Sequence, residues 1–230
     1  MKAKSKGFNP NYEIISLKDP TSIVSECYRR VKVSLDNLSI DKKIQVIQFC
    51  SSTKNEGKSS CCVNTAACYV EAGQKVLIID LDLRRPTIHR YFNLKKENGI
   101  SDYLSGNLKK ETLIKKTTFK IDVITAGNPV TFPTSLLGSV AMKNLVEELR
   151  KEYDIILIDC PPILLVSDTV IISRFCDGCL FVVSHKYIKK DLAKEAVYNL
   201  KKNKVNILGA IYTLSDDYKL NNYYYHYEQD

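Results

Sequence analysis

The sequence has no long hydrophobic run. Although 44% of its 230 residues are hydrophobic, none of its apolar stretches approaches the roughly 18–20 residues that a membrane-spanning helix needs. The first residues, Met1-Lys-Ala-Lys, are not followed by the apolar core of a secretory signal. We therefore expect an ordinary globular chain that stays in the cytosol.

Few of the cysteines and histidines have the spacing of metal ligands. Eight cysteines without a secretory signal indicate reduced thiols rather than a disulfide framework. Only Cys176 and Cys179 have ligand spacing, there is no second C-x-x-C pair, and the three histidines are scattered. An intrachain zinc site is therefore not expected, and a site shared between two copies is the alternative that remains.

Aromatic residues do not alternate with basic ones in the way that a nucleic-acid platform requires. The net charge is nevertheless +8, which could serve nucleic acid, an anionic membrane surface or phosphate-bearing substrates. The lysines occur mainly as scattered pairs, which favours a solvated basic surface. We predict no nucleic-acid partner.

A phosphate-binding loop is predicted between an apolar run at 44–49 and a helical pattern that begins near Lys58. In such a loop Gly57 lets the backbone approach phosphate, Lys58 neutralises the β- and γ-phosphates, and Ser59 offers a hydroxyl to Mg²⁺. The first glycine of the usual pattern is replaced by Ser52, and Asn55 occupies a position that needs tolerance of positive φ. The predicted nucleotide-binding residues are Ser52, Thr53, Lys54, Asn55, Glu56, Gly57, Lys58, Ser59 and Ser60.

Two further apolar runs end in acids. The run 75–80 ends at Asp80 with Asp82 two residues later, and the run 153–159 ends at Asp159 in a pattern typical of a Walker B strand. Ligands of doubly wound sheets bind at the carboxyl ends of the strands, so these acids can face a nucleotide held by the loop. The alternative interpretation is that Asp159 only caps the turn that follows. Arg84 and Arg85 follow at once and can contact a phosphate or a carboxylate.

The order of patterns predicts an α/β fold of the P-loop NTPase type, a mostly parallel twisted sheet with helices on both faces. Residues 1–20 are interpreted as a flexible arm, 21–214 as the domain and 215–230 as a tyrosine-rich tail. Within the domain, one helix is predicted from Thr134 or Ser135 to Lys151. Residues 86–120 are interpreted as connecting structure at the rim of the site.

The helix predicted at 21–38 carries Glu26, Arg29 and Lys32 at steps of three residues. This band of charge could pair with acids of another subunit. Pairs formed within the helix on a solvated face explain the spacing equally well.

The tail contains five tyrosines in the last thirteen residues and lacks apolar periodicity. By default, such a segment is interpreted as a mobile terminus. Its phenolic hydroxyls beside acids would suit a substrate of phosphate transfer. The alternative is a tail that docks on a partner through stacked aromatic rings. The candidate modified residues are Tyr218, Tyr223, Tyr224, Tyr225 and Tyr227.

Taken together, these motifs resemble the bacterial tyrosine kinases, the autokinases of capsule and exopolysaccharide export systems, over about 21–230. Glu-Gly-Lys-Ser at 56–59 resembles their Walker A motif, the segment 76–86 resembles their Asp-x-Asp-x-Arg motif, and 155–162 resembles their Walker B. Glu26, Arg29 and Lys32 resemble their oligomerisation helix, and the tail resembles their autophosphorylation cluster.

The sequence departs from the family pattern at four places. Lys54-Asn55 replaces Pro-Gly, Lys32 replaces an arginine with a planar fork, the segment 132–137 lacks the usual acid, and Thr213 stands where an asparagine often follows the last strand. These differences concern the phosphate loop, the contact between subunits and the surroundings of the adenine.

The resemblance implies a kinase that uses ATP and Mg²⁺. Lys58 would neutralise the charge that develops on the transferred phosphoryl group. The metal would be held by Ser59, Asp82 and, through water, Asp159. Asp80 would accept the tyrosine proton, and Arg84 would lie beside these residues. A tail that leaves the last strand has little reach back to its own loop, so transfer is predicted between neighbours in a ring. Each phosphate adds about −1.5 to −2 charges, which should loosen that ring.

The resemblance also implies partners. A membrane-embedded activator would complete the nucleotide site with its cytoplasmic terminus and keep the kinase at the inner face of the membrane, and a cognate tyrosine phosphatase would reverse the modification. Two other hypotheses remain. One is an ATPase of the MinD/ParA type, including an iron-sulfur carrier that uses Cys176 and Cys179, and the other is a weakly binding scaffold.

Overall fold

The computed structural model describes residues 12–40 and 42–214. The strands are β1 (Val46–Ser51), β2 (Val76–Asp80), β3 (Ile121–Ile124), β4 (Ile155–Asp159), β5 (Gly178–Ser184) and β6 (Ile207–Thr213). The helices are α1 (Ile15–Lys18), α2 (Ile23–Leu38), α3 (Lys58–Glu71), α4 (Ile88–Tyr91), α5 (Ile100–Leu104), α6 (Pro133–Leu137), α7 (Val140–Leu149), α8 (Asp168–Ile172) and α9 (Lys190–Lys202). Short 3₁₀ turns lie at Lys110–Thr112 and Ser173–Phe175.

The six strands form one sheet in the order β3-β2-β4-β1-β5-β6, and every strand pair is parallel. One buried apolar cluster joins α3 to one face of the sheet, and a second joins α7 and α9 to the other. The α/β fold with a parallel sheet between helical layers is therefore confirmed. No helix among residues 12–40 and 42–214 is long and apolar enough to span a bilayer.

The central strands place three predicted motifs at one edge. Asp80 of β2 is the register partner of Asp159 of β4, and Asp159 in turn lies opposite Phe49 of β1, which leads into the phosphate loop. Because these strands are parallel and adjacent, their carboxyl ends converge there. The sheet topology thus places the loop and both acids side by side.

Two expectations about the elements are wrong. Residues 12–20 are not a loose arm, because Ile14 is buried and the N–H of Ser16 donates to Asn64 Oδ1 of α3 at 2.9 Å. The single helix predicted from Thr134 or Ser135 to Lys151 is two helices, since Ser139 accepts from the N–H of Met142 at 3.1 Å and so caps a new one.

Asp177 fixes the start of β1. Its carboxylate accepts the N–H of Gln45 and Val46 at 2.8 and 2.7 Å, and Arg150 donates to both of its oxygens. Burial raises the pKa of Asp177, but the Arg150 bonds and these backbone bonds outweigh it and leave the pKa below the usual value. The charged form of Asp177 is therefore favoured by folding.

We expect Asp177→Asn to lower the free energy of unfolding by about 2 kcal/mol at pH 7, because the hydrogen bonds lose a charged acceptor. A depressed folded pKa stabilises the protein above the unfolded pKa of about 3.9, and this contribution disappears as the pH falls. Urea unfolding should therefore show a difference between wild type and variant that shrinks near pH 3. An equal difference at both pH values would contradict this role.

Candidate active site

The phosphate loop has the backbone conformation that its glycine and asparagine predict. It leaves β1 after Ser51 and enters α3 at Lys58, with Gly57 at φ 90° and Asn55 at φ 67°. Asparagine is enriched among residues with positive φ, so Asn55 can replace a glycine at this position. Ser52 is buried, and its carbonyl accepts the N–H of Leu164 at 3.2 Å.

Substitutions at Asn55 should separate backbone shape from side-chain chemistry. Alanine at positive φ costs about 1 kcal/mol of folding stability, whereas glycine adopts this conformation freely. We expect Asn55→Ala to lower the free energy of unfolding by about that amount, and Asn55→Gly to retain both stability and nucleotide affinity. Urea unfolding and nucleotide titration check this, and equal effects of the two variants would contradict it.

Glu56 holds the loop together in a way that the motif did not predict. Its buried carboxylate accepts the N–H of Thr53 at 2.6 Å and the N–H of Ser184 at 3.2 Å, which ties the loop to the end of β5. Its carbonyl accepts the hydroxyl of Thr213 at 2.7 Å, which ties it to β6. Glu56 is therefore a structural anchor of the loop, and Thr213 packs against it.

Lys58 lies among the three predicted acids. Its Nζ is 3.2 Å from Asp82 Oδ2 and 3.8 Å from Asp159 Oδ1. Burial lowers the pKa of Lys58, but Asp159 and then Asp82 outweigh it and raise the pKa above the usual value. The lysine therefore remains charged at neutral pH.

The acids outnumber the lysine, and their pKa values respond to this excess. Burial, followed by repulsion from Asp159 and Asp82, raises the pKa of Asp80. Burial raises the pKa of Asp159 to about 6, against the opposing effects of Lys58 and Ser59. Three buried carboxylates near one lysine leave uncompensated negative charge, so the site favours a further cation.

The residues present fit Mg²⁺ bound with a nucleotide. Ser59 Oγ donates to Asp159 Oδ2 at 2.5 Å, which brings a hydroxyl and a carboxylate into one place. Asp159 Oδ1 is buried and has no hydrogen-bond partner within the described residues. Mg²⁺ usually keeps several waters and takes few protein ligands, so one hydroxyl and one carboxylate are enough to hold it beside a nucleotide.

Asp80 and Asp82 occupy different environments. Asp80 is fully buried and accepts the N–H groups of Asp82, Thr87 and Ile88 at 3.2, 3.1 and 3.1 Å. Asp82 contacts Lys58 and accepts the N–H of Arg85 at 3.0 Å. Both acids thus accept hydrogen bonds, Asp80 from the backbone of the loop and Asp82 from the phosphate-loop lysine as well. The proton-acceptor role that the sequence assigned to Asp80 stays a prediction, and Asp82 is the acid that lies beside Lys58.

Arg84 contacts a carboxylate of its own chain, one of the two kinds of group that the sequence allowed. Its Nε donates to Asp168 Oδ2 at 2.9 Å, and the hydroxyl of Thr134 donates to the other oxygen of Asp168 at 2.8 Å. Asp168 is 1% exposed. Arg84 therefore links the loop after β2 to α6 and α8 in this conformation, and no motif predicted Asp168.

The residues predicted for subunit contact are paired within the chain. Arg29 donates to Glu71 of α3 at 3.1 and 3.2 Å and to Glu26 at 3.3 Å, and Lys32 is 2.5 Å from Asp36. The intrahelical alternative accounts for the Glu26–Arg29 pair, while Glu71 is an additional partner. A role of Glu26, Arg29 and Lys32 in a ring stays a prediction.

The cysteine pair is not arranged as a metal site. Cys179 is buried with its Sγ 2.9 Å from that of Cys50, and the thiol of Cys176 donates to the carbonyl of Ile172 at 3.3 Å. Burial raises the pKa of Cys176 well above its usual value, which disfavours the thiolate that a metal requires. The predicted modified tyrosines, Tyr218, Tyr223, Tyr224, Tyr225 and Tyr227, lie outside the described residues.

The fold and the site define a P-loop nucleotide-binding protein. In agreement, a family model described as an AAA domain matches residues 44–206. Structures with less than a quarter of their residues identical share the fold, among them MinD from Pyrococcus horikoshii complexed with Mg-ADP (TM-score 0.61, 24% identity over 73% of this chain and 69% of that chain).

Closer relatives identify the family. YwqD of Bacillus subtilis, named a tyrosine-protein kinase, is 34% identical over 90% of this chain and 88% of its own. CapB of Staphylococcus aureus, named a putative tyrosine-protein kinase, is 32% identical over 92% of this chain and 93% of its own. The crystal structure of the chimerical protein CapA2B2 has a TM-score of 0.84 and 31% identity, covering 86% of this chain and 88% of that chain. The chain belongs to the bacterial tyrosine-protein kinases.

Proposed function

We propose that this chain transfers the γ-phosphoryl group of MgATP to the tyrosines of its own segment 215–230, on a neighbouring copy. The observation that carries the proposal is the arrangement of Lys58, Asp82, Ser59 and Asp159 at one edge of the sheet, with contacts of 3.2 Å and 2.5 Å. The family membership supports the reaction class, and the five tyrosines of the segment are the acceptors.

The residues have separate roles in this proposal. The loop 52–60 cradles the phosphates, Lys58 neutralises their charge, and Ser59 and Asp159 hold Mg²⁺, which compensates the negative charge of the phosphates. A phenolic oxygen attacks the γ-phosphorus as the bond to the bridging β-phosphate oxygen breaks, and the phenolic proton passes to Asp82. Asp80 and Arg84 act indirectly, because they position the loop that carries Asp82.

The length of the tail does not decide whether transfer occurs within one chain or between two. Adjacent strands lie about 4.8 Å apart, so the three spacings from β6 to β4 amount to roughly 14 Å. Nine extended residues, from Leu214 to Tyr223, span at most about 30 Å. The length of the tail therefore does not exclude transfer within one chain, and transfer between copies stays a prediction that needs a direct test.

A mixing experiment provides that test. One full-length chain carries Lys58→Met and serves only as acceptor, and the other carries Tyr→Phe at all five tail positions and serves only as donor. If transfer occurs between copies, mass spectrometry should find phosphotyrosine in the tail of the Lys58→Met chain after incubation with MgATP. Modification of wild type combined with none in this mixture would show transfer within one chain.

We also propose the cellular setting. The kinase acts in capsule or exopolysaccharide synthesis at the inner face of the membrane, through a membrane-embedded activator, as a ring, and a cognate phosphatase removes the phosphate. The relatives' names support the first part, since CapB and a putative kinase "in cps region" of Klebsiella pneumoniae are among them. Addition of an activator's cytoplasmic terminus should raise the rate of phosphotyrosine formation.

The competing functions receive less support. Thr53 occupies the loop position where ATPases of the MinD/ParA type carry a signature lysine, and the likeness to MinD concerns the fold. The thiols of Cys176 and Cys179 are engaged in contacts with their own chain, which does not favour an iron-sulfur carrier. The positive φ of Asn55 preserves the loop conformation, so the Lys54-Asn55 departure gives no specific support to an inactive scaffold.

A further inference from the structure

The side chain of Thr87 contacts the phosphate loop directly. Its Oγ1 donates to Ser59 Oγ at 2.9 Å, and Ser59 Oγ in turn donates to Asp159 Oδ2. Thr87 comes immediately after the segment 76–86 that resembles a family motif, and the sequence suggested only connecting structure there. The contact therefore joins the loop after β2 to the hydroxyl that is proposed to hold Mg²⁺.

The direction of these two hydrogen bonds follows from the number of protons on each group. A serine hydroxyl has one proton and two lone pairs. Ser59 gives its proton to the Asp159 carboxylate, so towards Thr87 it can only accept. The two bonds together restrict the rotation of the Ser59 hydroxyl, and one of its lone pairs remains for a cation.

Thr87 does not use its hydroxyl to cap the helix that it precedes. It occupies the N-cap position of α4, where a threonine side chain usually accepts an N–H group of the first turn. Its side chain makes no such capping hydrogen bond, because the hydroxyl lies against Ser59 instead. The stability of α4 therefore does not explain where this hydroxyl lies.

The backbone that carries Thr87 is held in place from two sides. Asp80 Oδ2 accepts the N–H groups of Thr87 and Ile88, both at 3.1 Å, and the side chain of Ile88 is fully buried in the apolar cluster that contains α3. A β-branched side chain has few allowed rotamers, so a fixed backbone also restricts the hydroxyl of Thr87. Asp80 is thus linked to Ser59 through Thr87.

We propose that Thr87 is a positioning residue, which holds the hydroxyl of Ser59 in the orientation that binds Mg²⁺. This proposal rests on the proposed function, because it takes Ser59 as a ligand of the metal, and it adds a residue from outside the recognised motifs. Thr87 acts through Ser59. Without the Thr87 hydroxyl, Ser59 has one restraint fewer, so Mg²⁺ must order it on binding and the affinity for the metal falls.

Nucleotide binding tests this role without turnover. Fluorescent N-methylanthraniloyl-ADP is titrated with the full-length chain over a series of Mg²⁺ concentrations, and the Kd is measured by fluorescence anisotropy. Thr87→Val keeps the shape of the side chain and removes its hydroxyl. We expect the Mg²⁺ concentration that gives half of the gain in nucleotide affinity to rise about threefold to tenfold, the effect of one hydrogen bond. The Kd measured in EDTA should stay unchanged.

Two variants provide matched controls. Thr87→Ser keeps the hydroxyl and should retain the wild-type Mg²⁺ requirement. Thr112→Val removes an exposed hydroxyl that donates to the carbonyl of Lys109, and it should also leave the requirement unchanged. Thermal unfolding without nucleotide should show that Thr87→Val is folded, since α4 has no side-chain cap to lose. An equal rise of the Mg²⁺ requirement in Thr87→Ser and Thr87→Val would contradict a role of the hydroxyl.

A double-mutant cycle shows whether Thr87 acts through Ser59. Ser59→Ala should itself raise the Mg²⁺ requirement, and Thr87→Val should add nothing in that background. The positioning role is overturned if Thr87→Val leaves the Mg²⁺ requirement unchanged, if its effect persists in Ser59→Ala, or if Mg²⁺ does not strengthen nucleotide binding to wild type. The proposed function itself fails only if the wild-type chain, with its activator, forms no phosphotyrosine, an outcome that is independent of Thr87.

Discussion

Lys58→Met should reduce phosphorylation of the tail by on the order of a thousandfold, because the variant loses the cation that faces the transferred phosphoryl group. In the structure this ammonium group lies 3.2 Å from Asp82 and 3.8 Å from Asp159. Without it, Asp82 and Asp159 would lose the cation that lies beside them. Both nucleotide affinity and the transfer rate are therefore expected to fall.

The matched control is Lys201→Met, which removes an exposed lysine of α9 and should leave the rate unchanged. Lys54→Met offers an intermediate case, since Lys54 is exposed at the tip of the phosphate loop, and we expect a loss of about tenfold from one weakened phosphate contact. Thermal unfolding should confirm that all three variants are folded. Persistent tail phosphorylation in Lys58→Met would end this account of the site.

Asp159→Asn and Asp82→Asn should impair the enzyme in different ways. Asp159 shares a hydrogen bond with Ser59 and has one oxygen that accepts no hydrogen bond in the described chain, so its loss should raise the Mg²⁺ concentration needed for half-maximal activity by about tenfold or more. Part of the activity should return at high Mg²⁺. The lost interaction is with the metal, which mass action can restore.

Asp82→Asn should instead lower kcat by about 10²–10⁴-fold with little change in the Mg²⁺ requirement, because a proton acceptor is removed. Steady-state assays over a series of Mg²⁺ concentrations distinguish the two patterns. If Asp82→Asn raises the Mg²⁺ requirement and Asp159→Asn does not, the two roles must be exchanged. Such a result would return Asp82 to the metal site that the sequence first suggested.

Local patterns were sufficient to predict the elements that carry the site. The apolar runs that end in Asp80 and Asp159 are buried strands with paired ends, because continuous burial on both faces leaves a clear signature in the sequence. Asn55 was also predictable, since few residue types tolerate a positive φ. These features depend on residues that are close together in the chain.

Contacts between distant segments were not predictable. Glu56 and Ser184, Arg84 and Asp168, and Arg29 and Glu71 each join segments that no periodicity relates. The motif identified Arg84 as part of the site but could not show that a buried acid engages it. The break between α6 and α7 was missed because a helical pattern continues through Gly138 while Ser139 caps a new helix.

The central claim is that a triphosphate held by Lys58, Ser59 and the acids at the strand ends is transferred to a tail tyrosine. Mass spectrometry of the full-length chain, incubated with MgATP and an activator's cytoplasmic terminus, tests this claim most directly. We expect phosphate on tyrosines between Tyr218 and Tyr227 in wild type and none in Lys58→Met. Equal phosphorylation of the two proteins, or an unmodified wild-type tail, would contradict the account.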